Sequence, residues 1–341
     1  MSSENYNSAE ESNSAENSKP GETGNLQRLE KARLILTTTV LGMTLAMLLV
    51  AFFTSPDFSS SVIEAISPQG DSAEVSVQKD LPYISPPDNI RRGDMYFGKN
   101  IPSSKHSLYP AVVIVHGGSW TKGSNQDIEI RSISQYLAKL GYRSFAINFR
   151  LNGTGGEFPN DIRDINSALC YIEKNADKFN IDANLIFLLG TSSGATSCLT
   201  AAYGRSNAEL RNDASCTPNI KAVAAFSAPT NLQNEIENPY LAQYLHAKNG
   251  KPNKEDISQA SPMSYVQTAV PTILLHGTAD KNVSINESYE LAKRLEAQKT
   301  PVAMINIEGQ AHFIGAESRK QALDIVNKFF MDVVRKQSKT K

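Results

Sequence analysis

Three side chains have the types and the chain order that nucleophilic catalysis requires. Ser192 stands in Gly190-Thr191-Ser192-Ser193-Gly194, directly after the apolar run Leu185-Ile186-Phe187-Leu188-Leu189. A buried strand ending in such a turn lifts the serine hydroxyl to the carboxyl edge of a sheet. The flanking glycines are needed because a β-carbon at either place would strike the neighbouring strand or helix. A serine hydroxyl is a weak nucleophile until a base takes its proton and a third group orients that base. Asp280 and His312 follow in the order Ser, Asp, His, each just past a further predicted strand.

The sequence holds five histidines. His116 belongs to a glycine turn and is expected to order that loop. His276 precedes Gly277 at a strand end and is expected to pack or bond beneath the Asp280 loop. His106 precedes the first strongly apolar strand, and His246 lies in a polar insertion. His312, between the last strand and the last helix, is the base this leaves. Asp280 would hold the imidazole in its working tautomer, with Glu308 and Asp256 as reserves for that role. No metal or other cofactor is required, and no Cys/His spacing suggests a metal site.

A second turn carries complementary chemistry. His116-Gly117-Gly118-Ser119-Trp120 ends the apolar strand Ala111–Val115. With side chains missing at two positions, backbone N–H groups can face a ligand. Ester hydrolysis passes through a tetrahedral intermediate with a negative oxygen, and each such donor stabilises it by about 3–4 kcal/mol. The amides of Gly118, Ser119 and Ser193 are the candidates.

Elements that could position these groups follow from hydrophobic patterning. Strands are predicted near Met95–Phe97, Ala111–Val115, Ser144–Phe149, Leu185–Leu189, Val223–Phe226, Thr272–Leu275 and Val302–Ile307. Ile162, Ile165, Leu169 and Ile172, and likewise Leu323, Val326, Phe330 and Val333, recur at helical spacing. They read as helix faces packed on a sheet. The alternation argues for an α/β fold with a largely parallel sheet.

The segment His116-Gly117-Gly118-Ser119-Trp120 with Gly123 resembles the H-G-G-x-W oxyanion segment of α/β-hydrolase esterases. The similar groups are the hormone-sensitive-lipase-like, feruloyl-esterase-like and kynurenine-formamidase-like ones. Asn148-Phe149-Arg150-Leu151 is similar to the family's D-Y-R-L, and Phe158-Pro159 with Asp164 resembles its helix before the nucleophile. Ala260-Ser261-Pro262, His276-Gly277-Thr278-Ala279-Asp280 and Gly309-Gln310-Ala311-His312 resemble its acid and base segments. Thr191 and Ser193 depart from the usual G-H-S-A-G-G. The resemblance implies an α/β-hydrolase fold over 91–337 and a serine esterase with a small-molecule ester substrate. Trp120 and the short oxyanion loop suit a small or medium acyl group. An amide-cleaving relative (arylformamidase or peptidase) and a non-catalytic surface binding module are the competing readings. In this fold insertions such as 204–218 and 230–262 often roof the pocket, and Tyr240, Tyr244 and Tyr265 could line it.

The remaining chain concerns location. Residues 1–33 open on a Ser/Asn/Glu-rich stretch with almost no apolar residues and are expected to form a disordered cytoplasmic tail. Residues 34–54 carry no charge, and about 21 residues at 1.5 Å rise span roughly 31 Å, enough to cross a bilayer core. Arg28, Lys31 and Arg33 before the segment, with Asp57 the first charge after it, predict a cytoplasmic amino terminus and a non-cytoplasmic catalytic domain. A cleaved signal peptide and a buried soluble helix are the alternatives. Residues 55–90 read as a linker. A net charge of −1 without a Lys/Arg stripe gives no reason to expect nucleic acid. Of Cys170, Cys198 and Cys216, the first two are expected to be buried packing residues, and an exported domain would allow a Cys198–Cys216 bridge.

Overall fold

A computed structural model describes residues 74–99, 108–213, 215–247 and 250–338. The proposed anchor 34–54, the tail before it and His106 lie outside the described residues. Among the described residues no helix is long and apolar enough to cross a membrane.

Eight strands form one sheet: β1 (Val75–Pro82), β2 (Arg92–Gly98), β3 (Tyr109–Val115), β4 (Arg143–Ile147), β5 (Ile181–Thr191), β6 (Ile220–Phe226), β7 (Thr272–Gly277) and β8 (Val302–Ile307). Their order is β1-β2-β4-β3-β5-β6-β7-β8. β1 and β2 pair antiparallel and β2 meets β4 antiparallel, while every pair from β4 through β8 is parallel. All seven residues of β3 are buried. A strand covered on both faces loses the polar/apolar alternation, which is why it reads as a continuous apolar run.

Apolar clusters fill both faces. On one side α2 (Asn160–Lys174), α4 (Ser193–Tyr203) and α7 (Ile285–Ala297) pack around Val113, Leu188 and Leu274. On the other, α1 (Ile128–Lys139) and α8 (Ala316–Ser338) cover Ile114, Phe187 and Leu275. The stripe Ile162, Ile165, Leu169 and Ile172 is fully buried, and so, nearly, is Leu323, Val326, Phe330 and Val333. Short α3 (Ala176–Phe179), α5 (Pro239–Tyr244) and α6 (Lys254–Ala260) lie in the connections.

Two expectations are corrected here. Residues 75–82, assigned to the linker, form the outer strand β1. Their pattern is weak because only Leu81 is buried and the register slips between Gln78 and Leu81. Asp80 sits in that bulge with φ of 60°, its amide donating to Asp94 Oδ1 at 2.9 Å. The disulfide also differs: Cys170 pairs with Cys216, Cα to Cα 6.2 Å, and Cys198 is a buried free thiol. Cys198 is sealed in the core, whereas α2 meets the loop before β6 through Asn166 Nδ2 to Leu210 O (2.7 Å) and Asn212 Nδ2 to Ser167 Oγ (3.1 Å).

The bridge closes a separation of 46 residues, a span for which a cross-link contributes about 2–4 kcal/mol. Thermal melts of Cys170→Ser/Cys216→Ser, and of wild type under reductant, should both fall below the oxidised protein by a matching amount.

Candidate active site

The turn from β5 into α4 puts Ser192 at φ 52° and ψ −127°. A non-glycine residue there costs about 1–3 kcal/mol, and it persists only where its surroundings hold it. The Ser192 amide donates to Phe226 O at 2.8 Å, while Ala195 N (2.9 Å) and Thr196 N (3.1 Å) donate back to Ser192 O. A β-carbon on Gly190 would lie 2.6 Å from Ala195 Cα, and one on Gly194 only 2.1 Å from His116 O. Both glycines are therefore steric requirements, as the sequence suggests.

The structure brings Ser192, His312 and Asp280 into one hydrogen-bonded line. His312 Nε2 lies 2.9 Å from Ser192 Oγ, and its Nδ1 lies 2.8 Å from Asp280 Oδ2. The carboxylate is buried at the end of β7, where Oδ1 accepts the amides of Asn282 (2.8 Å) and Val283 (3.0 Å). His276 lies beneath it, with Nε2 3.1 Å from Asp280 Oδ2 and Nδ1 2.8 Å from Ser288 Oγ. Burial alone would raise the Asp280 carboxyl. The two amides and the His312 ring outweigh that and hold it below the ordinary carboxylate range. Burial pushes the His276 imidazole down, towards its neutral form. Of the reserves, Glu308 only accepts from Thr278 Oγ1 at 3.3 Å, and Asp256 pairs with Asn253 in the cap of α6.

The turn after β3 faces Ser192. Gly118 adopts φ 123°, and a β-carbon there would fall 2.0 Å from Lys122 O. Thr121 and Lys122 amides close the turn on Gly118 O, both at 3.1 Å. Among the described residues the amides of Gly118 and Ser119 have no acceptor. Ser193 begins α4, where first-turn amides lack helical partners. All three residues line one cleft of about 510 Å³ with Ser192 and His312. His116 is buried, stacks on Phe149 and sets its Nδ1 2.7 Å from Gly117 O, as a loop-ordering residue would.

Thr191 and Ser193, read only as small departures, latch the two turns together. Thr191 Oγ1 accepts the Gly117 amide at 3.1 Å, and Ser193 Oγ accepts the Trp120 amide at 3.3 Å. Two hydroxyls flanking Ser192 were the available signal. Asp127, Glu129 and Glu235 also line the cleft. Burial raises the carboxyls of Glu129 and Glu235. Segment 230–262 reaches the cleft through Glu235 and Asn238, whereas 204–218 lies against α2 instead. Tyr240, Tyr244 and Tyr265 do not line it. Tyr244 is buried against Trp120, Tyr265 Oη donates to Gln259 O, and Tyr240 is exposed. The ion pair of Arg150 with buried Asp164 (2.7 Å) ties the loop after β4 to α2.

Residues 94–295 match the family model BD-FAE. The chain belongs to the BD-FAE family. It is 25% identical over 257 residues to isoprenylcysteine alpha-carbonyl methylesterase ICME of Arabidopsis thaliana, covering 69% of this chain and 56% of that one. It is likewise 25% identical over 231 residues to esterase LipC of Mycobacterium tuberculosis, covering 64% and 56%. The chain thus spans little more than half the length of these curated relatives. Among solved structures, a truncated carbohydrate esterase from gut microbiota superposes with a TM-score of 0.64 at 22% identity, covering 78% of this chain and 98% of that one. That likeness establishes the α/β-hydrolase fold. The BD-FAE match ends before His312, which is placed beside Ser192 and Asp280 by the geometry of the loop after β8.

A carboxyl held low in the folded state stabilises fully above its unfolded value, and that contribution disappears as pH falls through the lowered one. Asp280 therefore stays ionised from pH 8 to 5. The difference in melting temperature between wild type and Asp280→Asn should shrink as pH falls below about 4.

Proposed function

We propose that this chain is a serine esterase cleaving a carboxylic ester of small or medium acyl size through an acyl-enzyme. The observation that carries the reading is the unbroken line Ser192–His312–Asp280 at 2.9 and 2.8 Å. Membership of the BD-FAE family and similarity to proteins named as esterases support it.

In this mechanism Ser192 Oγ attacks the ester carbonyl carbon while its proton passes to His312 Nε2. The carbonyl π electrons move onto oxygen, which faces the amides of Gly118, Ser119 and Ser193. Collapse restores the carbonyl and expels the alcohol, which takes the proton from His312. The acyl group is left on Ser192. A water molecule then attacks, giving its proton to His312, and the second collapse releases the carboxylic acid and returns that proton to Ser192. Asp280 keeps the ring oriented and stabilises the imidazolium in both halves. Trp120 and the modest cleft volume support the preference for shorter acyl groups.

We also propose that residues 34–54 anchor the chain, with the tail before them cytoplasmic and the catalytic domain on the far side. The Cys170–Cys216 bridge supports that side, because such bonds persist in oxidising compartments.

A fluorophosphonate should label the wild type and not Ser192→Ala, and the same substitution should lower kcat/KM by about 10⁴-fold or more. Absence of labelling in wild type would favour a binding module. On p-nitrophenyl acetate and butyrate, set beside N-formyl and peptide amides, esters should be preferred by about tenfold or more. The reverse preference would make the protein an amidase.

A further inference from the structure

Behind the cleft lies a buried polar cluster that the hydrolytic steps do not use. Asp161, on the first turn of α2, is fully buried. Its Oδ2 accepts from Ser197 Oγ at 2.6 Å and from Tyr244 Oη at 2.9 Å. Ser197 in turn accepts from the indole Nε1 of Trp120 at 3.3 Å. Tyr244 stacks on that indole, ring centres 4.5 Å apart and planes 14° from parallel. Trp120 lines the cleft, and it follows Ser119 in the oxyanion turn.

We infer that Asp161 is a positioning residue: through Ser197 and Tyr244 it holds the Trp120 indole as a fixed wall of the cleft and thereby sets which acyl groups fit. This rests on the esterase reading above. The direction of the hydrogen bonds explains how. A carboxylate only accepts, so both hydroxyls must point their protons at Asp161. That leaves a lone pair of Ser197 for the indole N–H and fixes the Tyr244 ring against the indole face. Three elements, α2, α4 and α5, thus converge on one side chain of the oxyanion loop. The main chain of Trp120 is held as well, its carbonyl accepting the Asn152 amide at 2.7 Å. The indole is therefore the part that the cluster governs.

The charge on Asp161 adds a readout. Burial pushes its carboxyl up to about 7 against the two hydroxyl donors, and the neighbouring Asp164 carboxylate on the same helix adds to the rise. The groups facing it from the other elements are the Cys198 thiol on α4 and the Tyr244 phenol on α5. Burial raises both, leaving them neutral at that pH. Tyr265, which acts on Tyr244, is raised by burial too. Ionised Asp161 accepts two charge-assisted bonds at Oδ2; a proton taken up on Oδ1, which has no hydrogen-bond partner among the described residues, leaves both as weaker neutral bonds.

Trp120 is the sole tryptophan of the chain, so tryptophan emission reports this one indole. The full chain would be compared with Asp161→Asn, which keeps the shape and loses the charge, and with Ser197→Ala, which cuts the link to the indole. In wild type the emission should change with pH around a midpoint near 7. That transition should be absent in Asp161→Asn, and both variants should emit differently from wild type at pH 8. On p-nitrophenyl acetate, butyrate and decanoate, both variants should keep kcat for acetate within about threefold, while the decanoate-to-acetate ratio of kcat/KM rises about tenfold through KM. Unchanged emission in both variants overturns the inference. So does a transition that survives in Asp161→Asn, or a uniform loss of kcat at every acyl length. Should Asp161→Asn fail to fold, Ser197→Ala alone must show the altered emission and ratio. Failure of wild type to turn over any ester would instead overturn the esterase reading, and the emission measurements would still decide whether Asp161 holds the indole.

Discussion

Two glycine-bearing turns press on each other at the carboxyl edge of the sheet, and the surrounding structure keeps them there. They end neighbouring parallel strands, β3 and β5. A β-carbon on Gly117 would meet Thr191 O at 2.8 Å, and one on Gly194 would meet His116 O at 2.1 Å. No substitution by a larger residue could preserve that approach without moving a strand. The closeness is what sets a strained serine and a row of unsatisfied amides beside the same space.

Close approach alone leaves the turns free to slide, and hydroxyl latches remove that freedom. Thr191 and Ser193 accept backbone amides from the opposite turn. Further out, Arg150 and Asp164 tie the loop after β4 to α2, and the Glu287 carboxylate accepts the amides of Thr230 (2.9 Å) and Asn231 (2.8 Å) where segment 230–262 begins. Each bond is worth only a little in isolation. Their common effect is to give segment 230–262, the turn after β3 and the start of α4 one relative placement.

Much of this was legible in the residues. The parallel strands announced themselves because burial on both faces turns a strand into an unbroken apolar run, as in β3 and the second half of β5. Ser192, Asp280 and His312 were legible because a sharp turn, a strand end and a loop each carry a local signature. What escaped had only long-range causes. β1 hides because it is an edge strand with mostly polar, exposed residues. The Cys170–Cys216 pairing depends on where a loop folds back onto α2, which spacing does not encode. Tyr244 read as a candidate lining residue, yet its buried acceptor Asp161 lies 83 positions away.

That outer strand has a consequence of its own. An open sheet offers a row of free amides and carbonyls to any passing chain, and identical molecules crowded together are the most available partners. Here the rim is kinked at the Asp80 bulge, where Lys79 and Asp80 stand exposed and the Arg92 guanidinium clasps Asp80 Oδ2 at 2.8 Å. A neighbour could add a few residues and would then lose alignment against charge. At this rim a second copy is hindered from lengthening the sheet into a ribbon.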